Sequence, residues 1–161
     1  MVDRCSIADA MSVLGGRWAV HVLRDLVYGR RRFGQMLAST GAPRDILTTR
    51  LRELERAGLI RRQQYSERPP RDEYHLTDAG QELGPVLLLL ADWGDRWGAH
   101  ADLPGPVDFR HDGHHLTPRL ACATCAQIVE AGHVAARSNL GLWDGDAPLH
   151  GTHAGREGEA G

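Results

Sequence analysis

The sequence has no lysine, few cysteines and no long apolar run, and two of these absences exclude classes of protein. No stretch approaches the roughly 18 apolar residues of a membrane-spanning helix, and the N-terminus lacks the basic start and apolar core of a secretory signal. We therefore expect a cytoplasmic protein with no membrane partner. All 19 cationic side chains are arginines, which the coding bias of a genome can produce, so the absence of lysine supports no functional inference.

Two further absences concern chemistry. The three cysteines, Cys5, Cys122 and Cys125, are too few for a disulfide framework. The chain also lacks a nucleophile elbow, a phosphate-binding glycine loop and a paired-carboxylate motif. We therefore expect a protein that is not an enzyme, with its cysteines free for thiol chemistry or metal binding.

The composition, 42% hydrophobic and 25% charged, is typical of a globular domain. The net charge of -2 conceals an asymmetry along the 161 residues. Through residue 75 there are 14 arginines against 9 acidic residues, a balance of +5; the remainder has 5 arginines against 12 acidic residues, a balance of -7. The basic first part is therefore the candidate for binding a polyanion.

Periodicity and chain breakers predict a mainly α fold with a small β-hairpin, an α+β class. The strands are expected at LIRRQQY and DEYHLT, joined by the loop SERPPR, with RRRF as a short extended piece. The expected helices are 6–14, 17 to a stop at Gly29, 33–39, 43–58 and a long one from 77 to about 99. The predicted domains are 4–99 with a continuous core, a small Cys/His-rich hairpin-like extension over 100–137, and a disordered tail over 138–161.

The segment PRDILTTRLRELERAGLIRR raises the question of what its arginines do. At about 100° per residue, Leu47, Leu51 and Leu54 fall within about 60° of one another and form a core stripe. The arginines are either a solvated face or an anion-binding face. We favour the second, because helix, glycine-containing turn, helix and basic hairpin is the order of a winged DNA-binding motif. The residues expected to contact DNA are Arg44, Asp45, Thr48, Thr49, Arg50, Arg52 and Arg56 on the helix, and Arg68 and Arg71 at the tip of the wing.

Four stretches together resemble the HxlR family of bacterial winged helix-turn-helix transcription regulators: CSIADAMSVLGGRWAVHVLRDLVYGRRRFGQM, LTTRLRELERAGLIRR, PPRDEYHLTDAGQEL and LLLLADWG. The resemblance implies a homodimer that binds a pseudo-palindromic operator, with the helix from Pro43 as recognition helix. The family usually has serine or threonine before this proline, where the chain has Ala42. We therefore expect a helix that starts at Pro43 without its side-chain cap, at a cost of about 1 kcal/mol.

The long helix is expected to be the dimerisation element. Leu83, Val86, Leu87, Leu90, Trp93 and Trp97 recur near helical spacing, and the run from Leu87 to Leu90 is apolar on every side. A helix that is apolar all round must be buried on both faces. In a domain of this size, the second face would pack on another subunit.

Two switches of DNA affinity stay open. Cys5 follows Arg4 and precedes a helix, and both a cation and a helix N-terminus favour the thiolate. In the HxlR family a cysteine at this place often senses quinones, aldehydes or oxidants, so the resemblance implies redox sensing by Cys5. The alternative is a small aromatic or polycyclic ligand near the dimer interface, with Trp18, Trp93 and Trp97 as apolar walls. Both residue sets could also be ordinary packing residues.

The C-terminal extension is a candidate zinc site. Cys122 and Cys125 form a C-x-x-C pair, and thiolate and imidazole are the ligands that zinc prefers. Some members of the family resemble this tail, with a cysteine in the first knuckle where this chain reads HDGHH. His111, His114 or His115 would then have to complete the site. A bound zinc, a degenerate site that has lost its metal and a dithiol switch are the alternatives.

Overall fold

The apolar core lies in the region where regularly spaced leucines predict it. Its buried apolar side chains all lie between Ala19 and Ile60, and Leu47, Leu51 and Leu54 are among them, each at most 1% exposed. The computed structural model describes residues 5–130, 133–137, 139 and 146–148. The described residues divide into two units, one up to residue 104 and one from residue 105. No helix in the described ranges is long and apolar enough to cross a membrane.

The first unit consists of helices around a single hairpin, as the predicted α+β class requires. Helix α1 has the predicted bounds, and α2 begins at the predicted residue. The elements in order are α1 Ser6–Leu14, α2 Arg17–Val27, α3 Phe33–Thr40, α4 Arg44–Arg56, β1 Ile60–Glu67, β2 Pro70–Leu76, α5 Asp78–Gln81 and α6 Leu83–Trp97.

The helix-turn-helix consists of α3 and α4. Gly41 ends α3 in the left-handed conformation, at φ 67°, which glycine adopts without steric cost. Both α3 and α4 pack on α2, whose Val22 and Leu23 are fully buried. Because α4 buries its three leucines against this support, its opposite face is turned outward.

The N-terminus of α4 differs from the prediction. Pro43 is the N-cap and not the first helical residue: its ψ of 143° is extended, while its carbonyl accepts the first helical hydrogen bond from Leu47 N at 2.9 Å. Ala42 is buried, 5% exposed, within the core. The helix lacks a side-chain cap, as predicted. The residue at the cap position is Pro43, however, and Ala42 lies one residue earlier, packed in the core.

The hairpin is longer and tighter than predicted. The β1 and β2 strands pair in antiparallel register from Ile60 opposite Leu76 to Glu67 opposite Pro70, with a bulge between Gln64 and Ser66. Only Arg68 and Pro69 remain as the turn, so the placement of Arg71 in a loop was wrong. The extended piece before α3 is confirmed, since it bridges β2 alongside Glu73.

The prediction of a single long helix from residue 77 to about 99 was wrong. This segment is divided at Glu82 into two helices, α5 and α6. Pro85 lies in the first turn of α6 and has no backbone N–H with which to bond the Gln81 carbonyl, so a continuous helix would lose this hydrogen bond. Thr77 caps α5 by accepting a hydrogen bond from Gly80 N at 3.2 Å.

In the second unit, the described residues form three short antiparallel features. A hairpin joins β3 Arg110–His111 to β4 His114–His115, and β5 Ala135–Arg137 pairs with β6 Asp146–Pro148. An isolated bridge between Ala121 and Ile128 closes the loop that contains the two cysteines. Of the predicted disordered tail, 138–161, the structure describes only 139 and 146–148, and the rest lies outside the described residues.

Candidate nucleic-acid interface

The outer face of α4 presents most of the residues predicted to contact DNA. Arg44, Asp45, Thr49, Arg52 and Arg56 are exposed. This follows from the leucine stripe, because burying Leu47, Leu51 and Leu54 turns the other side of the helix to solvent. Asp45 lies in the first turn, where a carboxylate is favoured by the positive end of the helix dipole. The face therefore combines cationic, hydroxyl and carboxylate groups.

The two threonines on this face have their hydrogen-bonding roles fixed by the helix. Thr48 Oγ1 donates to the Arg44 carbonyl at 2.8 Å, and Thr49 Oγ1 donates to the Asp45 carbonyl at 2.9 Å. Each hydroxyl therefore keeps its lone pairs and its methyl group for an external partner. Such a group can accept from a cytosine or adenine amino group or contact a thymine methyl.

The arginine side chains on this face form no ion pair within the described part of the chain. Arg52 and Arg56 make no hydrogen bond to another described side chain, and the Arg44 guanidinium stacks over the ring of Phe33, at 5.2 Å from its centroid. Unpaired guanidinium groups have all their donors free, and the fork geometry of these donors matches phosphate oxygens and the edge of guanine. The solvated-face interpretation required the glutamates of the helix as partners, and neither Arg52 nor Arg56 uses them.

Arg50 is placed differently from the rest of the predicted set. It is half-buried, forms an ion pair with Glu53, and its Nε is buried without a partner among the described residues. Its guanidinium packs against the N-terminus of α2, where a Cβ on Gly16 would approach Arg50 Cζ to 2.9 Å. Arg50 therefore belongs to the α2–α4 contact, and the absence of a side chain at Gly16 makes room for it.

The two arginines predicted to contact DNA from the wing are exposed near its tip. Arg68 occupies the two-residue turn, and Arg71 lies in β2 opposite Ser66. Neither makes a side-chain ion pair in the described ranges, so both guanidinium groups are free at the end of the hairpin. Because Arg71 lies on a strand and Arg68 at the turn, the two project from different positions along the wing.

The wing is fastened to the helix-turn-helix through Arg32, which the sequence did not single out. Arg32 Nε donates to Glu73 Oε1 at 2.9 Å, and its guanidinium stacks over the Tyr65 ring at 4.6 Å. The hydrogen bond to Glu73 raises the pKa of Arg32 above its ordinary value. Gln35 caps the start of α3 by accepting from Arg32 N at 3.0 Å. One residue thus connects the start of α3 to both strands.

A buried carboxylate between α2 and α3 was also missed. Asp25 is fully buried and accepts from Arg24 Nη2 at 2.9 Å, Ser39 Oγ at 2.9 Å and Arg30 Nη1 at 3.3 Å. A buried charge is tolerated only with such partners. The available signal was an aspartate within the apolar stripe of α2, between Leu23 and Leu26. Asp25 fixes the support on which the helix-turn-helix is built.

The residues predicted to switch DNA affinity are exposed or lie on different helices. Cys5 is exposed and is the N-cap residue of α1, and its carbonyl accepts from Asp9 N at 2.9 Å; Arg4 lies outside the described residues. Trp18 is half-buried on α2, edge-on to His21, while Trp93 and Trp97 are 56% and 64% exposed on α6. The two exposed tryptophans therefore do not wall an enclosed pocket in the single chain.

The predicted zinc ligands do not converge. In the described part of the chain, no three or more His, Cys, Asp or Glu side chains are grouped closely enough to hold a metal ion. His111 and His114 meet edge to face on the β3–β4 hairpin, while His115 Nδ1 bonds Asp108 at 2.7 Å. The donors therefore do not form the four-ligand set of a structural zinc site.

Cys122 and Cys125 lie in a separate, tightly hydrogen-bonded turn. Ala126 N donates to the Cys122 carbonyl at 2.7 Å, and Cys122 N donates to the Gln127 carbonyl at 2.9 Å. Hydrogen bonds from the backbone N–H groups of Cys125 and Thr124 lower the pKa of the Cys122 thiol. This turn favours a thiolate at Cys122, and neither cysteine is engaged in a disulfide.

Comparison with known proteins agrees with this architecture. The model of the HxlR-like helix-turn-helix family matches residues 13–102. The HTH-type transcriptional regulator Rv3095 of Mycobacterium tuberculosis, itself uncharacterised, is 40% identical over 131 residues, which are 80% of this chain and 82% of that protein. The chain belongs to the HxlR-like helix-turn-helix family, and it is a DNA-binding transcriptional regulator.

Solved structures agree as well. The crystal structure of PA1607, named as a transcription factor, has a TM-score of 0.72 at 26% identity and covers 84% of this chain and 96% of its own. The redox regulator HypR in its reduced form has a TM-score of 0.55 at 28% identity and covers 61% of this chain and 98% of its own. The winged-helix fold predicted from the sequence is confirmed by these likenesses.

Proposed function

We propose that the protein is a homodimeric, sequence-specific repressor that acts in the cytoplasm on a pseudo-palindromic operator and has no enzymatic activity. The observation that carries the proposal is the outer face of α4, where Arg52 and Arg56 have no ion pair or side-chain hydrogen bond among the described residues and two threonine hydroxyls keep their acceptor lone pairs. In this proposal α4 lies in the major groove and reads base edges. The wing turn at Arg68 contacts phosphate beside it.

The dimer is proposed from the apolar surfaces of α1 and α6. No residue of either helix is buried in the single chain. Large apolar side chains on both are at least half exposed, and patches of this kind on a small domain mark interaction surfaces. They are Ile7 75%, Met11 53%, Val86 52%, Leu90 52%, Trp93 56% and Trp97 64%. A two-fold dimer formed by these helices would present two copies of α4 to half-sites about one helical turn apart.

For the switch we propose modification of the Cys5 thiol. The side chain is exposed at the N-cap of α1, one of the two helices assigned to the dimer, so a modification there would bear on the arrangement of the two subunits. HypR, a structural neighbour, is named as a redox regulator. The second candidate is an apolar or aromatic effector. An apolar cleft of about 200 Å³ supports it, lined by Ala10, Val13, Leu14, Ala57, Leu59 and Leu83.

DNA binding is tested by selecting fragments of the source genome on the purified full-length protein and footprinting those retained. We expect protection of a two-fold symmetric site, and binding that weakens steeply as salt rises, since arginine–phosphate contacts release counterions. Repression is tested with a reporter placed behind that site, with and without the protein. Equal retention of all fragments would contradict sequence-specific binding, and higher reporter output with the protein would contradict repression.

The switch is tested by repeating the binding measurement with diamide or a quinone on the wild type, Cys5→Ser and the double variant Cys122→Ser/Cys125→Ser. We expect the wild type and the double variant to lose affinity on treatment and Cys5→Ser to keep it. An unchanged oxidant response in Cys5→Ser would overturn the Cys5 assignment, and a response abolished only in the double variant would move the switch to the C-x-x-C turn.

A further inference from the structure

A cleft whose lining includes charged and hydroxyl side chains lies between the recognition helix and the base of the wing. It has a volume of about 310 Å³. One wall comes from the first turns of α3 and α4 and the other from the strands of the hairpin. The lining residues are Phe33, Arg44, Thr48, Arg62, Asp72 and Tyr74. Arg62 is not among the residues that the sequence predicts to contact DNA.

Arg62 is held in place on the wing side of this cleft. Its Nη2 donates to Asp72 Oδ2 at 2.6 Å, and its backbone N donates to Glu55 Oε1 at 3.2 Å. A guanidinium has five N–H donors in a rigid plane, so one bond to Asp72 orients the group and leaves other donors free. The side chain is 56% exposed, which leaves those donors accessible.

The rest of the lining suits an anion. Arg44 adds a second positive charge from the start of α4, so the lining holds two arginines against the carboxylate of Asp72. Glu55, which bonds Arg62 N, and Arg52, whose charge acts on Tyr74, add one charge of each sign beside the cleft. Burial raises the pKa of the Tyr74 phenol, which therefore stays protonated as a neutral O–H donor. The Thr48 hydroxyl donates its hydrogen to the Arg44 carbonyl, so it has no donor left for an anion in this cleft.

The position of the cleft identifies the anion. If α4 occupies the major groove and the wing reaches the neighbouring minor groove, the sugar-phosphate strand that separates the two grooves must pass between α4 and the wing. We propose that this cleft is the seat of one backbone phosphate per half-site, held by Arg62 with Arg44 opposite. The inference rests on the proposed DNA-binding function and adds to it a phosphate site and a positioning role for Asp72.

Arg61 provides a matched control. It is the neighbouring residue on β1, and side chains of adjacent strand residues point to opposite faces. Its Nη1 donates to Gln63 Oε1 at 3.0 Å, and it does not line the cleft. Arg61→Ala and Arg62→Ala therefore make the same change of charge and size one residue apart but on opposite faces, and only Arg62→Ala also removes the ion pair with Asp72.

The test uses the operator obtained by fragment selection, with single methylphosphonate groups that remove the charge of one phosphate at a time. We expect Arg62→Ala to lower affinity about tenfold and Arg61→Ala to lower it less. The logarithmic salt slope of Arg62→Ala should fall by about one unit, with the preferred sequence unchanged. Neutralising the seated phosphate should weaken the wild type and Arg61→Ala about tenfold, but weaken Arg62→Ala much less, since only Arg44 then remains to hold that phosphate.

The outcomes separate the two levels of the inference. If the wild type retains no specific fragment, the proposed function falls and the phosphate seat falls with it. If the wild type binds its operator but the two arginine variants have the same affinity and the same salt slope, only the phosphate seat is overturned. The same conclusion follows if both variants respond to the methylphosphonates as the wild type does. Thermal unfolding of both variants checks that each is folded, and Arg62→Lys, which keeps the charge but not the fork, should recover part of the affinity.

Discussion

Helices α4 and α6 have similar lengths, 13 and 15 residues, but differ in where their apolar side chains lie. The three stripe leucines of α4 are each at most 1% exposed in the single chain, whereas α6 buries none of its residues and leaves two tryptophans more than half exposed. The packing of α4 is therefore complete within the chain, and its outer face is free for a polar partner. Helix α6 packs Leu83 and Leu87 against the core but leaves other apolar side chains exposed among the described residues, so the two helices are suited to different ligands.

The largest effect should come from the stripe of α4. Leu51→Ala removes a side chain that is 1% exposed, and we expect a loss of about 2–5 kcal/mol in the free energy of unfolding, measured by urea denaturation at fixed protein concentration. Leu120→Ala removes the same atoms at a site that is 57% exposed, and should change stability by less than about 0.5 kcal/mol. Similar losses in the two variants would contradict the assignment of the core.

A smaller effect, on association rather than folding, is expected from α6. Leu90→Glu places a carboxylate in the proposed dimer surface, and we expect the dimer to weaken by about 2 kcal/mol, roughly 30-fold in Kd, measured by sedimentation equilibrium. Leu103→Glu makes the same change beyond α6 at a residue of similar exposure, 58% against 52%, and should leave the dimer unchanged. A wild type that sediments as a monomer at high concentration would remove the dimer from the proposal.

The outer face of α4 and the wing should differ in the kind of effect. Arg52→Ala and Thr49→Ala are expected to cost about 1–3 kcal/mol of operator affinity and to relax the preferred sequence at single positions. Arg68→Ala should weaken all sequences about equally and reduce the salt slope by about one unit. Gel-shift series over operator variants and salt concentrations measure both. If all three variants behave alike, the division between base-reading helix and phosphate-binding wing is wrong.

The fold was predictable where local signals decide it. Helix α1 begins and ends at the predicted residues because its apolar spacing runs directly into Gly15 and Gly16. The leucine stripe of α4 follows from a period that any amphipathic helix obeys. The division of the last helix at Glu82 was also within reach, since Pro85 was visible in the sequence and its missing N–H predicts a break.

The site was less predictable, because contacts between distant residues determine it. A helical wheel places Arg50 beside the stripe, but only the approach of Gly16 shows that it packs against α2. Arg32 and Glu73 are far apart in sequence and meet only once the hairpin folds back beside α3. Asp25 is an ordinary helix residue by composition, and its burial depends on Arg24, Arg30 and Ser39 converging on it.

The smallest expected effect tests the N-terminus of α4. Here the sequence and the structure predict stability changes of opposite sign for Ala42→Ser. If Ala42 were the cap position, Ala42→Ser would supply the missing oxygen and raise stability by about 1 kcal/mol. Ala42 is instead 5% exposed in the core, and the first helical hydrogen bond is accepted by the Pro43 carbonyl, so the new hydroxyl would be buried among apolar groups. We therefore expect a loss of about 1 kcal/mol in thermal or urea unfolding. Ala57→Ser, at the exposed C-terminal end of the same helix, should stay within about 0.5 kcal/mol of the wild type. A gain in stability for Ala42→Ser, with the stability of Ala57→Ser unchanged, would show that residue 42 is the cap position.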